Sequence, residues 1–195
     1  MRGLPADEAD ARLGAATAAL RERVGRWVYG EGDADLAAVC LEELRARGWR
    51  VAVAESCTGG GLGARFTAVP GASDVMLGGV IAYDNAVKVS VLGVSPATLT
   101  AVGAVSEEVA REMATGVRPR IGAEVGVSIT GIAGPGGGTP EKPVGTVCLG
   151  LDLGGAVSAQ RIVTIGDRQE IRQRSAQAAL AKLLRGLRSA DSAVR

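Results

Sequence analysis

Arg50-Val51-Ala52-Val53-Ala54-Glu55-Ser56-Cys57-Thr58-Gly59-Gly60-Gly61-Leu62-Gly63-Ala64-Arg65-Phe66-Thr67-Ala68 changes character twice. Arg50 to Ala54 is a short apolar strand, and Leu62 to Ala68 suits a helix. Between them a run of polar residues and glycines permits a sharp turn and a close backbone approach. A strand feeding a glycine turn and then a helix is one unit of an α/β sheet.

The flanks repeat this alternation. Leu36, Val39, Cys40 and Leu44 fit a helix ending at Gly48. Val75 to Tyr83 is β-compatible, Asn85 to Leu92 returns to helix, and Ser95-Pro96 is a capped helix start. Ser106 opens a helix with Val109, Met113, Val117 and Ile121 on one face, and Ala123 to Thr130 is a nearly continuous apolar strand. Val144 to Asp152 and Val157 to Ile165 predict a hairpin through Gly154-Gly155. Asp167 and Glu170 have capping-box spacing before a last helix striped by Ile171, Ala179, Leu180, Leu183, Leu184 and Leu187. The expected fold is a three-layer α/β/α single domain with a mixed, mostly parallel sheet. Residues 1–30 form a helical extension, 31–188 the domain and 189–195 a frayed tail.

Composition narrows the function. Twenty-two basic against 21 acidic residues leave a formal charge of +1, so no general field draws nucleic acid or anionic lipid. Aromatic residues at 3% exclude an extended base-stacking surface. Cys40, Cys57 and Cys148 are odd in number and widely spaced, as reduced cytosolic thiols are. No signal peptide and no apolar run of about 18 residues is found, so a cytoplasmic protein without a membrane span is expected. The chain contains no histidine. This excludes a Ser-His-Asp triad and any His-containing zinc site, and leaves proton transfer to Lys, Tyr, Asp, Glu or water.

Four segments carry chemistry. In Glu55-Ser56-Cys57-Thr58-Gly59-Gly60, Ser56 is either a nucleophile beside amides of Thr58, Gly59 and Gly60 that hold an oxyanion, or a capping serine. Cys57 is a competing nucleophile or a buried small side chain, and Glu55 a substrate contact or a structural carboxylate. In Tyr83-Asp84-Asn85-Ala86-Val87-Lys88, a partly desolvated Lys88 supplies the base that histidine supplies elsewhere, with Tyr83 as relay and Asn85 facing substrate; a packed tyrosine and a solvated lysine are the alternative. Thr130-Gly131-Ile132-Ala133-Gly134 opens a glycine-proline loop that either cradles an anion through its amides or is a long flexible connection. Gly166-Asp167-Arg168 places an arginine at a helix entry, where it suits a phosphate or carboxylate; a capping aspartate with a surface arginine is the alternative. Gly59-x-Gly61-x-x-Ala64 matches a dinucleotide fingerprint only formally, because Asp74 does not stand at a strand end.

Together with Val69-Pro70-Gly71-Ala72-Ser73, Gly103-Ala104-Val105-Ser106 and Glu141-Lys142-Pro143-Val144-Gly145-Thr146-Val147, these segments resemble the CinA C-terminal-domain family, from about Gly32 to Leu187. That family includes bacterial nicotinamide-nucleotide amidohydrolases. The resemblance implies a metal- and cofactor-independent conversion of nicotinamide mononucleotide and water to nicotinate mononucleotide and ammonia. Ser56, Tyr83 and Lys88 would be catalytic, with Glu55, Thr58, Gly59, Gly60, Asn85, Thr130, Gly131, Gly134 and Arg168 binding substrate. It also implies a homo-oligomer, to which the apolar terminal helix would contribute. The family usually has serine where Asp84 stands. Two rival classes are a non-catalytic nucleotide-binding module and a dinucleotide-dependent oxidoreductase.

Overall fold

The computed structural model describes residues 3–192 and divides into a unit ending at Asp35 and a unit beginning at Leu36. In the first, helix α1 (Ala6–Val24) has Asp7 and Glu8 in its first turn and Arg21 and Arg23 in its last, which suits the helix dipole. None of its residues is buried, and Leu13 and Leu20 lie open.

The second unit carries the sheet. In chain order it runs α2 (Leu36–Ala46), β1 (Val51–Glu55), α3 (Gly61–Thr67), β2 (Met76–Ile81), α4 (Asn85–Ser90), α5 (Pro96–Val102), α6 (Glu107–Ile121), β3 (Val125–Gly131), β4 (Thr146–Leu153), β5 (Ala156–Val163) and α7 (Arg168–Ser192). The strand order is β2-β1-β3-β4-β5. β1 pairs parallel with β2 and β3, while β3–β4 and β4–β5 are antiparallel. β4 therefore opposes the other strands, and the sheet is mixed and mostly parallel in direction. The β4–β5 hairpin turns at Gly154-Gly155, both at positive φ, as the sequence predicts.

Helices cover both faces. Leu41 and Leu44 of α2, Phe66 of α3 and Leu180, Leu183 and Leu187 of α7 pack on Val51, Val53, Val127, Leu149 and Leu151. On the other face, Val109, Met113 and Val117 of α6 meet Ala52 and Ala54. The α7 stripe is thus buried in the domain's own core, which removes it as support for self-association. The helix also continues to Ser192 past the predicted end at Arg188, so residues 189–192 are helical, while 193–195 lie outside the described residues. Among the described residues, no helix is long and apolar enough to cross a membrane.

Glycines set the spacing of the α6 layer. A Cβ on Gly150 would overlap the Ala110 carbonyl oxygen of α6 and the Ser128 hydroxyl, which itself donates to that carbonyl. The obstacle is helix backbone, which cannot rotate away. Gly150→Ala is expected to lower unfolding free energy by about 2–3 kcal/mol, read from urea unfolding midpoints.

The topology selects one location for a site. From β1 the chain moves outward to β2, then crosses back to place β3 on the opposite side of β1. Ligands of open α/β sheets bind outside the carboxyl ends of the strands at such a reversal. Those ends are Glu55-Ser56 of β1, Thr130-Gly131 of β3 and the Ala82-Tyr83 continuation of β2.

Candidate active site

The carboxyl ends of β1, β2 and β3 border a cleft of about 300 Å³. Ser56, Tyr83, Asn85, Lys88, Thr130, Gly131, Gly134 and Arg168 line it, which brings most of the predicted site together. Ser56 follows β1 directly, and its N–H continues the ladder by donating to the Ile129 carbonyl at 2.9 Å. Its side chain is almost buried, at 8% exposure.

Lys88 is 1% exposed, unusual for a lysine lacking a carboxylate on its nitrogen. Nζ donates instead to the carbonyls of Ala82 at 2.8 Å and Tyr83 at 3.3 Å. Burial holds its pKa below the ordinary lysine value, against smaller upward pulls from Asp84 and Cys57. Asp84 has a mainly structural role: its carboxylate caps α4 by accepting from the Ala86 N–H at 2.7 Å, the bond a serine would also make. Lys88 and Ser56 share the cleft, but no hydrogen bond links them; Lys88 is held on its own loop's carbonyls.

Tyr83 is 60% exposed, and its hydroxyl accepts from Arg168 at 3.0 Å. The same guanidinium donates to the Gly134 carbonyl at 2.6 Å, so Arg168 joins the start of α7 to both the tyrosine and the glycine loop. That start is set by the predicted capping box, with the Asp167 N–H on Glu170 and the Glu170 N–H on Asp167, both at 2.9 Å. Thr130 donates its hydroxyl to the Ala104 carbonyl at 2.8 Å. A Cβ on Gly131 would lie 2.9 Å from Val147 Cγ2, 3.0 Å from the Thr146 carbonyl oxygen and 3.1 Å from Cys57 Sγ, so glycine alone fits there.

Cys57 also lines the cleft, but burial pushes its thiol up to about 11. A thiol that high is protonated at neutral pH and is no activated nucleophile.

Four predicted binding residues need correction. The Glu55 carboxylate is buried beneath α3 and accepts from the N–H groups of Gly60 at 3.0 Å, Leu62 at 3.0 Å and Gly63 at 2.8 Å. It is the N-terminal cap of α3 and does not line the cleft. The Gly60 amide is thereby taken, and the Gly59 amide donates to the Ser56 carbonyl at 3.1 Å, so neither is available to an oxyanion. Thr58 faces a different cleft, beside α7. The donors of the turn were filled by a carboxylate and a carbonyl that local sequence does not place. Cys57 N–H and Thr58 N–H are the amides of this turn without a backbone partner among the described residues.

The dinucleotide fingerprint fails for the same reason, since its glycine amides are occupied from within. Asp74 precedes β2, at the amino ends of the parallel strands and away from the cleft, paired with Arg45 at 2.7 Å.

Glu55 nonetheless matters to the site, because it fixes the turn that carries Ser56. Glu55→Ala would leave buried amides without an acceptor, and is expected to cost about 3 kcal/mol or more in unfolding free energy by urea titration. Glu55→Gln keeps the shape but gives up the charge, and is expected to cost about half that.

Sequence reasoning missed the wall formed by Ala104 and Val105 as part of the cleft. Lys142 Nζ holds this wall in place by donating to the carbonyls of Val102 and Val105, both at 2.7 Å. The signal available was the pairing of a Gly-Ala-Val-Ser segment with Glu141-Lys142-Pro143 in one motif set.

Comparison with known proteins follows the same boundaries. The family model described as the CinA C-terminal domain matches residues 33–187. A CinA-like protein of Gemmatimonas aurantiaca is 58% identical over 182 residues, 93% of this chain and 42% of that protein. A CinA-like protein of Chlorobaculum tepidum is 50% identical over 187 residues, 93% of this chain and 44% of that protein. The chain thus spans less than half the length of these curated relatives. The crystal structure of a competence-damaged protein (CinA) superfamily protein from Klebsiella pneumoniae superposes with a TM-score of 0.76 at 36% identity, covering 79% of this chain and 96% of that one. The corresponding Escherichia coli structure gives 0.74 at 33% identity, covering 83% and 97%.

Proposed function

The chain belongs to the CinA C-terminal-domain family, and from that premise we propose that it is an amidohydrolase converting nicotinamide mononucleotide and water to nicotinate mononucleotide and ammonia. One observation carries the reading: a single cleft at the sheet's switch point gathers a hydroxyl, a buried amine, a phenol and an arginine, in a chain without histidine.

Each group then has a task. Lys88, neutral, accepts the Ser56 proton as Ser56 Oγ bonds to the carboxamide carbon. The carbonyl oxygen gains the negative charge, and the N–H of Cys57, which lines the cleft, is the amide of this turn left to meet it. The C–N bond breaks as the proton passes to nitrogen, ammonia leaves, and a serine ester remains. Water then attacks the ester and returns the proton to Ser56. Tyr83 stands at the cleft mouth on Arg168, and Arg168 with the amides of Ala133 and Gly134 meets the phosphate.

The test is ammonia release from nicotinamide mononucleotide by the purified protein, paired with calorimetric binding of the same nucleotide. Turnover supports the amidase. Binding without ammonia would instead make the domain a nucleotide-binding module.

A further inference from the structure

A second, larger cleft of about 770 Å³ opens between α3 and the first turns of α7. Arg65 enters it from α3, and Arg168, Arg172 and Arg174 from α7; no carboxylate is among the residues lining it. Arg168 and Arg172 are one helical turn apart and share a face. Arg168 and Arg172 donate to neutral oxygens. Arg172 donates to the Thr58 carbonyl at 2.7 Å, Arg168 to the Gly134 carbonyl and the Tyr83 hydroxyl, and Arg65 to the Gln177 side-chain oxygen at 2.8 Å. Arg174 has an acidic partner, Glu170 at 3.3 Å, which is also engaged in the α7 capping box, and it donates to the Ile165 carbonyl.

Thr58 lines this cleft, is 1% exposed, and its Oγ1 is buried without a hydrogen-bond partner. That oxygen is closed to solvent, so a ligand in the cleft would be held by the four guanidinium groups, whose planar forks match phosphate oxygens.

We propose that the α3–α7 cleft is a second anion site, which takes a phosphate-bearing small molecule distinct from the group held at Ser56. Arginines reaching in from two elements across a cleft of this volume suit a pyrophosphate-sized anion better than a lone phosphate. The site adjoins the candidate active site through Arg168, which lines both clefts. The inference does not rest on the amidase reading, because it is tested by binding alone.

The probe is inorganic pyrophosphate, titrated calorimetrically into the full chain at low ionic strength. The wild type is expected to bind, with affinity falling as salt is raised. R65Q/R174Q, which leaves Arg168 and Arg172 in place, is expected to bind about tenfold more weakly or worse, and R65K/R174K to stay within about threefold. R111Q/R120Q removes the same charge from α6 and should bind as the wild type does. Unchanged thermal midpoints establish that each variant folds; should R65Q/R174Q unfold, R65K/R174K and the single R174Q variant carry the test. No binding by the wild type, equal binding by R65Q/R174Q, or equal weakening by R111Q/R120Q would overturn the proposal.

Discussion

Ser56→Ala is expected to lower ammonia release from nicotinamide mononucleotide by about 10³-fold or more while leaving the fold intact. The two halves of that expectation have separate causes. The hydroxyl is at the border of a cleft and takes part in no hydrogen bond among the described residues, so its removal strands no buried partner. The backbone N–H to Ile129 that fixes the residue survives the substitution. Thermal stability should therefore shift by only a few degrees. The rate falls because a covalent route loses its nucleophile, and water held by the remaining groups recovers only part of it. Cys57→Ala is the matched control. With its thiol pushed up to about 11, Cys57 contributes packing rather than attack, so the variant should lose stability and keep most of its turnover. Full activity in Ser56→Ala with loss in Cys57→Ala would transfer the nucleophile to the neighbouring residue and end the serine mechanism.

The fold was legible because its signals are local. The Ser95-Pro96 start, the Ser106 cap and the Asp167/Glu170 box each announce a helix within a few residues, and all are realised. The α7 stripe likewise places Leu180, Leu183 and Leu187 in the core. What stayed hidden depends on groups that meet from separate segments or by a turn's exact course. A glycine-rich turn after a strand advertises free amides, but nothing in the residue order says that Glu55 folds back to take those of Gly60, Leu62 and Gly63. Gly150 reads as an ordinary strand glycine until α6 is laid across it. Lys142 reads as a surface charge, yet its ammonium crosses to the Val102–Val105 turn. Tyr83 and Arg168 belong to separate motifs, and only the fold shows that they touch.

Lys88→Met should reduce the rate by about 10²- to 10⁴-fold and flatten its pH profile. A lysine can accept a proton only when neutral, so wild-type kcat/KM is expected to rise with pH through the Lys88 pKa, which burial holds below the ordinary value. The carbonyls of Ala82 and Tyr83 give this amine a defined posture: once deprotonated it has an N–H for each of them and a lone pair left over. Because the folded protein resists protonating Lys88 more than the unfolded chain does, the unfolded state binds more protons between the two pKa values. Stability should therefore climb with pH across that window in the wild type, and stay flatter in Lys88→Met. Methionine fills nearly the same volume and removes a buried charge, offsetting part of the cost of two carbonyls left without a donor, so the thermal midpoint should move by only a few degrees. Lys88→Arg separates charge from basicity. A guanidinium keeps the positive charge but does not give up its proton, so a folded Lys88→Arg protein should be as inactive as the methionine variant. An active arginine variant would show that the buried cation works by its field, and the proton from Ser56 would then need another acceptor.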